Sequence, residues 1–327
     1  MRRLDSAAVE SCEVGELIEP LRNAFRRGAV TPVRTQHELT AGASPATLLM
    51  MPAWRRGGPF GVKLVTVFPQ NFSRGRPTVS GEYLLFDGDS GESLAVIDGA
   101  ALTLLRTAAV SALAAELLAP AEAAVLLMVG TGALAPHLIK AHRAVRRYRQ
   151  ILVWGRDPAK ATAVAARLAG LAPAVGVADD LARAVSSADV ISCATLAEQP
   201  LVRGEWLGRE VHVDLVGGFK PTMREADEEC FRRASRVAVD TPDALEKCGD
   251  LIDPIASGAL SRARVVTLDQ LVAGPRHPPR AGVTVFKSAG YALADLATAE
   301  WLLARSAGGA TLDPPGAAPA RSARRNE

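Results

Sequence analysis

Apolar and polar residues alternate along the first third of the chain in short runs that predict β-strands. Their two-residue period is typical of a sheet with one buried face. The four predicted strands cover residues 47–52, 62–68, 79–86 and 93–98. The turn residues at 87–91 separate the last two as a hairpin. A helix is predicted over 102–118 and stops before Pro120, so this block is a mostly antiparallel sheet with a helix packed on it.

From residue 123 onward the pattern changes to short apolar strands that alternate with amphipathic helices. The predicted strands cover 123–129, 151–154, 190–193, 211–216 and 283–286. The predicted helices cover 133–147, 158–168 and 291–305. Because strand–helix alternation over this length is typical of a parallel, doubly wound sheet, the fold class is α/β, with an α+β block preceding that sheet.

Composition narrows the class of protein. The 327 residues are enough for two domains. A hydrophobic fraction of 48% and a charged fraction of 22% describe a folded protein that is neither disordered nor membrane-spanning. The net charge of +3 is too small to indicate a nucleic-acid partner. The Gly-, Ala-, Pro- and Arg-rich stretch 311–327 is expected to be a disordered tail.

The four cysteines and five histidines are scattered, without the spacing of a metal site or a disulfide framework. Near the N-terminus Glu10, Glu13 and Glu16 interrupt what would be the apolar core of a signal peptide. We therefore expect a cytoplasmic protein with no bound metal and no membrane partner.

A glycine-containing turn follows the first strand of the doubly wound region and opens a helix. Gly130, Thr131, Gly132 and Ala133, with Ala135, form the G-x-G-x-x-A version of the dinucleotide fingerprint. The first glycine permits the tight turn, the second lets the backbone approach a pyrophosphate, and the helix N-terminus faces its charge. A lone motif is weak, but the strand before it and the helix and strand after it agree. The sequence thus predicts a Rossmann domain that binds a nicotinamide dinucleotide.

The residues at the end of the 151–154 strand bear on which dinucleotide binds. Enzymes selective for NAD place an acidic residue there for the ribose 2′-hydroxyl. Here Arg156 comes first and Lys160 follows a helical turn later, two cations suited to a 2′-phosphate. Asp157 precedes Pro158 and is better explained as a helix cap. NADP(H) is favoured, and NAD(H) stays possible.

Three cations in the first block stand in apolar surroundings. They are Arg34, Lys63 within the 62–68 strand, and Arg106 near the start of the 102–118 helix. A surface lysine whose amine reaches water is the ordinary interpretation of Lys63 taken alone.

Together these segments resemble the ornithine cyclodeaminase/mu-crystallin family. The matching segments are TPVRT at 31–35, MMP at 50–52, KLVTVFPQN at 63–71, LTLLRTAA at 102–109, VDLVGG at 213–218 and FKS at 286–288. The fingerprint stands between them at the expected place, so the resemblance covers nearly everything except the tail.

The resemblance implies a split architecture and a carboxylate substrate. Residues 1–118 and 288–310 would form a substrate-binding and dimerisation domain around a continuous Rossmann domain at 119–287, in a homodimer. Family members use the counterparts of Arg34, Lys63 and Arg106 around the carboxylate of an amino or imino acid. We expect Lys63 also to influence imine protonation, as the catalytic residue. Among the cofactor contacts we include Thr195, with Val216 and Gly217 of the matched segment at 213–218.

One position departs from the cyclodeaminases. Where they resemble Gly-Gly-Asp, with the aspartate as acid/base, this chain has Phe219 after two glycines. Without that base the attack by a distal amine is disfavoured, whereas an apolar residue could shield a C=N bond during hydride transfer. Asp214 and Asp227 are near in sequence, and we assign both a structural role.

The resemblance therefore favours the branch that reduces cyclic ketimines. Δ1-Pyrroline-2-carboxylate would give L-proline, and Δ1-piperideine-2-carboxylate would give L-pipecolate. The alternatives are an ornithine cyclodeaminase, an alanine-dehydrogenase-like enzyme and a non-catalytic, NADPH-binding protein like mu-crystallin. The sequence does not separate a ring substrate from a linear one.

Overall fold

The structure is a computed structural model that describes residues 1–40, 45–275 and 282–308. In this part of the chain the strands form two sheets. The strands are β1 (Arg2–Leu4), β2 (Thr35–Glu38), β3 (Thr47–Trp54), β4 (Phe60–Val67), β5 (Val79–Phe86), β6 (Ser93–Asp98), β7 (Val125–Val129), β8 (Gln150–Trp154), β9 (Ala174–Val177), β10 (Val190–Cys193), β11 (Val211–Leu215), β12 (Ala234–Val239), β13 (Val265–Thr267) and β14 (Val283–Lys287).

Helices connect and cover these strands. They are α1 (Ser6–Glu10), α2 (Val14–Arg27), α3 (Gly99–Leu118), α4 (Leu134–Val145), α5 (Pro158–Arg167), α6 (Leu181–Ser187), α7 (Glu228–Arg233), α8 (Ala244–Lys247), α9 (Gly249–Ala256), α10 (Leu268–Ala273) and α11 (Ala292–Ser306). Short 3₁₀ turns lie at Pro69–Arg74, Gly204–Trp206 and Arg262–Arg264.

The first sheet has the order β1-β6-β5-β4-β3-β2, and β2 to β6 pair antiparallel. Its two faces differ in burial, as the predicted alternation requires. On β5, Tyr83 and Leu85 are fully buried, whereas Glu82 is exposed and Leu84 is half-buried. Helices α3 and α11 pack against this sheet. The buried face is therefore the one that can hold a site between sheet and helices.

The second sheet is parallel throughout, with the order β13-β12-β14-β11-β10-β7-β8-β9. Strands β10, β11 and β14 are buried along their whole length, because helices cover both faces of such a sheet. The strand order reverses at β7 and β10. The carboxyl ends of these two strands form the crevice in which this architecture binds ligands, and the glycine turn lies there.

Helix α3 joins the two sheets. Asp98 caps it by accepting a hydrogen bond from the Ala101 N–H at 2.8 Å. By length and mean hydropathy it could cross a membrane, but 83% of its most apolar 18-residue window is buried inside the protein. It packs against α2, α4 and α11, so it is the central core helix of the described chain.

The fold contains elements that the sequence patterns did not predict. Helix α2 is the longest of these, and it buries Leu17, Leu21 and Phe25 against α3 and α11. Helix α11 returns from the second sheet to pack on β3 and β4. We therefore propose that residues 1–118 and 288–308 form one domain. The predicted boundary at 309–310 and the tail at 311–327 lie outside the described residues.

Candidate active site

A cavity of about 640 Å³ lies between the two sheets and is lined from both sides. The first sheet contributes Met51 of β3 and Lys63 of β4, and α3 contributes Arg106. The second sheet contributes Ala133 of the glycine turn and Thr241, which follows β12. The fold therefore brings the predicted substrate-binding cations and the predicted nucleotide turn to one space.

The three predicted cations Arg34, Lys63 and Arg106 all line this cavity. Two of them already share a carboxylate. Asp295, in the first turn of α11, places Oδ2 2.7 Å from the Lys63 Nζ and accepts a hydrogen bond from the Arg106 Nε through Oδ1 at 2.9 Å. Lys247 and Asp243 also line the cavity as an ion pair at 2.6 Å. Four cations face two carboxylates, so the site retains a net charge of about +2 that favours an anion.

Lys63 is not the surface lysine of the ordinary interpretation. Its neighbours across β3 and β5 are Met51 and Tyr83, and its side chain lies on the buried face with 3% exposure. Burial lowers the pKa of Lys63 to about 8, the Asp295 carboxylate opposes that shift, and the positive charges of Arg106 and Arg34 add to it. Lys63 is thus an ammonium that can lose its proton near neutral pH.

Asp295 was not predicted from the sequence. It directly follows the apolar residues Ala292–Leu293–Ala294 that open α11, and it is 1% exposed. A buried carboxylate needs charged or hydrogen-bonding partners, and a helix N-terminus supplies additional positive potential. An isolated acid at the start of an apolar helix was therefore the available signal, but its partners are 232 and 189 positions away in the chain.

The glycine turn has the shape that a dinucleotide requires. Gly130 has φ +124°, a value that side-chain-bearing residues rarely adopt, and a Cβ there would lie 2.5 Å from the Ala194 carbonyl oxygen. At Gly132 a Cβ would meet nothing within 4 Å, so the space over the turn is open. Thr131 and Ala133 stand beside that space, and Ala135, in the first turn of α4, is fully buried. These residues fit a pyrophosphate at the α4 N-terminus.

The end of β8 presents two exposed cations. Asp157 accepts hydrogen bonds from the backbone N–H groups of Ala159 and Lys160, at 3.0 and 3.4 Å, and so caps α5. Arg156 and Lys160 are exposed beside it, and the Lys160 ammonium lies 3.9 Å from the Asp157 carboxylate. The Asp157 carboxylate at this strand end is thus engaged in capping α5, whereas the side chains of Arg156 and Lys160 face solvent.

A buried carboxylate ties together the loops that follow β10 and β11. Glu225 accepts hydrogen bonds from the Thr195 N–H and hydroxyl at 2.7 and 2.8 Å. Its other oxygen accepts from the Gly217 N–H at 2.7 Å and the Gly218 N–H at 3.3 Å. A Cβ at Gly217 would collide with the Thr195 backbone, so the two loops are in direct contact. The predicted cofactor contacts Thr195 and Gly217 therefore form one unit, with buried Val216 beside them.

A salt-bridged pair lies below Glu225. Asp250 accepts hydrogen bonds from the Glu225 and Ala226 N–H groups at 2.7 and 3.2 Å, and from the Lys287 ammonium at 2.9 Å. Burial raises the pKa of Glu225, while the Lys287 charge opposes that shift. The sequence patterns indicated a role for neither Glu225 nor Lys287, because their partners lie on separate segments that come together only in the folded chain.

The two aspartates that were assigned structural roles are engaged in the fold. Asp214 accepts hydrogen bonds from the Ser111 and Ser192 hydroxyls and pairs with His142. Asp227 caps α7 and accepts from the Cys230 and Gly204 N–H groups. Helix α7 begins at Glu228, directly after this cap.

Phe219 lies apart from the cavity. It is 41% exposed, the Lys220 ammonium lies 5.8 Å from its ring centroid, and it is not among the cavity-lining residues. Its shielding role stays a prediction. Among the described residues no group of His, Cys, Asp and Glu is arranged to hold a metal ion.

The chain is similar to known proteins over most of its length. Residues 3–309 match the model of the ornithine cyclodeaminase/mu-crystallin family. The chain is 39% identical over 300 residues to Protein SAR DEFICIENT 4 of Arabidopsis thaliana, which covers 86% of this chain and 91% of that protein. It is 37% identical over 289 residues to a Delta(1)-pyrroline-2-carboxylate reductase of Paracoccus denitrificans, which covers 87% of this chain and 92% of that enzyme.

Solved structures with the same fold are similar over their whole length. The Thermococcus litoralis Delta(1)-pyrroline-2-carboxylate reductase in complex with NADH and L-proline has a TM-score of 0.85 at 28% identity, covering 94% of this chain and 98% of that one. An archaeal alanine dehydrogenase dimer with bound NAD has a TM-score of 0.83 at 26% identity, covering 94% and 97%.

Proposed function

The chain belongs to the ornithine cyclodeaminase/mu-crystallin family, and on that premise we propose that it is a pyridine-nucleotide-dependent reductase of cyclic ketimine carboxylates. The proposed substrates are Δ1-pyrroline-2-carboxylate and Δ1-piperideine-2-carboxylate, reduced to L-proline and L-pipecolate. One observation carries the proposal: Arg34, Lys63 and Arg106 line a single cavity whose opposite wall includes Ala133 of the nucleotide turn. The relatives that reduce pyrroline-2-carboxylate support the choice of substrate.

The residues of the cavity divide the work of binding and protonation. The guanidinium groups of Arg34 and Arg106 suit the substrate carboxylate, because charge-assisted hydrogen bonds to an anion contribute about 1.5–3 kcal/mol each. Lys63, with a pKa of about 8, is protonated at neutral pH and can donate a proton to the imine nitrogen, which makes the ring carbon electrophilic. A reduced nicotinamide supplies the hydride when it is bound. Lys63 then regains its proton from solvent.

The acidic residues of the cavity do not favour cyclodeamination, because both are paired with cations. Among the cavity-lining residues, Asp295 is held by Lys63 and Arg106, and Asp243 is held by Lys247. Neither carboxylate is free to hold or deprotonate a distal substrate amine, and position 219 is Phe219. The apolar wall formed by Leu49, Met51 and Val65 instead suits the methylene groups of a ring.

We propose a preference for NADP(H) over NAD(H). Arg156 and Lys160 are exposed at the end of β8, and Asp157 is engaged in capping α5. Two solvent-facing cations beside the expected ribose position favour a 2′-phosphate. Titration of NADPH and NADH by fluorescence tests this, and equal affinity for the two would overturn it.

We also propose that the protein is a homodimer whose second copy covers the outer face of the first sheet. Pro52, Val62, Leu84 and Val96 form an apolar row across β3 to β6, and each is only half-buried. The similar archaeal alanine dehydrogenase is a dimer. Light scattering should give twice the chain mass, and Leu84→Glu should give the single mass.

The proposal of a cytoplasmic location rests on the cysteines. Cys12, Cys193, Cys230 and Cys248 are all free, which suits a reducing compartment. Fractionation of the source cells with an antibody to the protein tests it.

The reaction is tested by a substrate panel. Oxidation of NADPH and NADH is followed with pyrroline-2-carboxylate, piperideine-2-carboxylate, and pyruvate plus ammonia. Release of ammonia is followed separately with L-ornithine and NAD⁺ or NADP⁺. Turnover of the cyclic imines supports the proposal. Turnover of pyruvate plus ammonia alone would identify an alanine-dehydrogenase-like enzyme, and release of ammonia from L-ornithine a cyclodeaminase. Nucleotide binding without any turnover would indicate a mu-crystallin-like binding protein.

A further inference from the structure

The two oxygens of the Asp295 carboxylate pair with two different cations of the cavity. Oδ2 lies 2.7 Å from the Lys63 Nζ, and Oδ1 accepts from the Arg106 Nε at 2.9 Å. All three side chains line the cavity, and all three are buried. Lys63 comes from β4, Arg106 from α3 and Asp295 from α11, so one carboxylate fixes the relative positions of three elements.

A packing role alone does not explain this arrangement. Burying a carboxylate and two cations is expensive in free energy, and an apolar residue at position 295 would serve the core of α11 better. The shared carboxylate also uses only the Nε of Arg106. The two terminal amino groups of that guanidinium are thereby left to a ligand in the cavity, in the planar geometry that carboxylates accept.

We propose that Asp295 is the positioning residue of this site: one oxygen holds the Lys63 ammonium toward the cavity, and the other orients the Arg106 guanidinium for the substrate carboxylate. The mechanistic part of this inference rests on the proposed reductase function. The coupling between Asp295 and Lys63 does not, because it is a property of the protein without substrate.

The charges around Lys63 show what Asp295 opposes. Arg106 faces Lys63 from α3 and Arg34 from the segment before β2, and both favour its neutral form, as does burial. Lys247 and Asp243 stand on another part of the cavity wall as a pair. Tyr83 lies beside Lys63 on β5, and burial raises the pKa of its hydroxyl well above the usual range, so it stays neutral. Asp295 is the carboxylate that keeps the Lys63 proton in place.

The test measures the titration of Lys63 directly. The protein without substrate or nucleotide is pulse-labelled with acetic anhydride at a series of pH values, and the acetylation of the Lys63 peptide is quantified by mass spectrometry. Only the neutral amine reacts, so the midpoint reports its pKa. The variants are Asp295→Asn and, as a control on the same helix, Glu300→Gln. Glu300 pairs with Arg55 and does not line the cavity.

We expect a wild-type midpoint near pH 8, and a midpoint at least about one pH unit lower in Asp295→Asn, because an opposite charge at this distance shifts a pKa by about 1–3 units. Glu300→Gln should keep the wild-type midpoint. An unchanged midpoint in folded Asp295→Asn overturns the proposal. A wild-type midpoint of about pH 6, as for a buried lysine without an opposing carboxylate, overturns it as well, even if Asp295→Asn fails to fold.

The kinetic readout then addresses the substrate. With an accepted imine, Asp295→Asn should lower kcat/KM by about 10- to 100-fold and move the alkaline fall of the pH profile to lower pH, whereas nucleotide affinity stays within about twofold. A shifted Lys63 midpoint without any imine turnover in the wild type would reject the proposed reaction and leave the Asp295–Lys63 coupling standing. A normal pH profile in Asp295→Asn would reject the positioning role.

Discussion

Two buried lysines of this protein, Lys63 and Lys287, have opposite electrostatic surroundings. Both are at most 3% exposed, and burial disfavours the charged form of each. Lys63 faces one carboxylate and two arginines, and its pKa falls to about 8. Lys287 faces the carboxylates of Asp250 and Glu225, and its pKa is raised. Burial lowers the pKa of both lysines; at Lys63 burial and the two arginines outweigh Asp295, whereas at Lys287 the two carboxylates outweigh burial.

This difference separates Lys63, the proposed proton donor, from Lys287, which stabilises the structure. Lys287 neutralises the acids that organise the Thr195 and Gly217 loops, and it stays charged at any physiological pH. Lys63 borders the cavity and is poised to exchange a proton. A functional role can thus be inferred from a buried ion pair only when the charges of all neighbouring groups are considered.

The largest expected effect comes from removing the cavity lysine. Lys63→Met should lower kcat/KM for the cyclic imine by about 10³-fold, within the range for loss of a positioned proton donor. Its nucleotide affinity should stay nearly unchanged, because Lys63 lies on the opposite sheet from the glycine turn. Steady-state kinetics and fluorescence titration with NADPH measure the two quantities. Collapse of NADPH binding in Lys63→Met would contradict the assigned position of this lysine.

Removing the other lysine should affect stability first. Lys287→Met leaves Asp250 and Glu225 buried without their cation, and we expect a loss of about 3–5 kcal/mol in the free energy of unfolding. Urea unfolding at matched protein concentration measures it. Lys63→Met is the paired control, and it should lose less because Asp295 keeps Arg106. Equal losses in the two variants would remove the distinction between the lysines.

The pH dependence sharpens the same contrast. The proposed reaction requires Lys63 in its protonated form, so kcat/KM should be constant below about pH 8 and fall tenfold per pH unit above it. Lys287 should add no second break, because its pKa is raised. The pKa of the substrate imine is measured in the absence of enzyme, and the pH profile of kcat/KM is corrected for it. A flat profile to about pH 9.5 would mean that the Lys63 proton is not required.

The smallest effect concerns Arg156, which is exposed at the end of β8. Arg156→Ala should weaken NADPH binding by about 10-fold and leave NADH binding within about twofold, because the proposed contribution of this exposed arginine is a contact to the 2′-phosphate, which NADH lacks. Calorimetric titration with both nucleotides measures this. Arg203→Ala, at another exposed arginine, is the matched control. Equal weakening for both nucleotides would argue against a phosphate contact.

Strong local patterns were sufficient for much of the fold. The predicted strands at 79–86, 93–98 and 190–193 coincide with β5, β6 and β10, because period-two alternation and short apolar runs are local signals. Helix α2 was missed although its apolar stripe is present, and Pro20 in its interior is a residue that ordinarily interrupts a helix pattern. The short strands β1, β2 and β13 exist through pairing with distant partners, which no local window contains.

By itself the sequence determined the parallel sheet and the position of the glycine turn, because each depends on residue type within a few positions. Its resemblance to the family indicated Arg34, Lys63 and Arg106 as substrate-binding cations. The tertiary structure alone decided which acids those cations meet. Asp295 reaches Lys63 and Arg106, and Glu225 reaches Thr195 and Gly217, only after elements far apart in the chain have packed. Coulomb energy depends on distance in space, so the protonation of Lys63 was fixed by packing rather than by its neighbours in sequence.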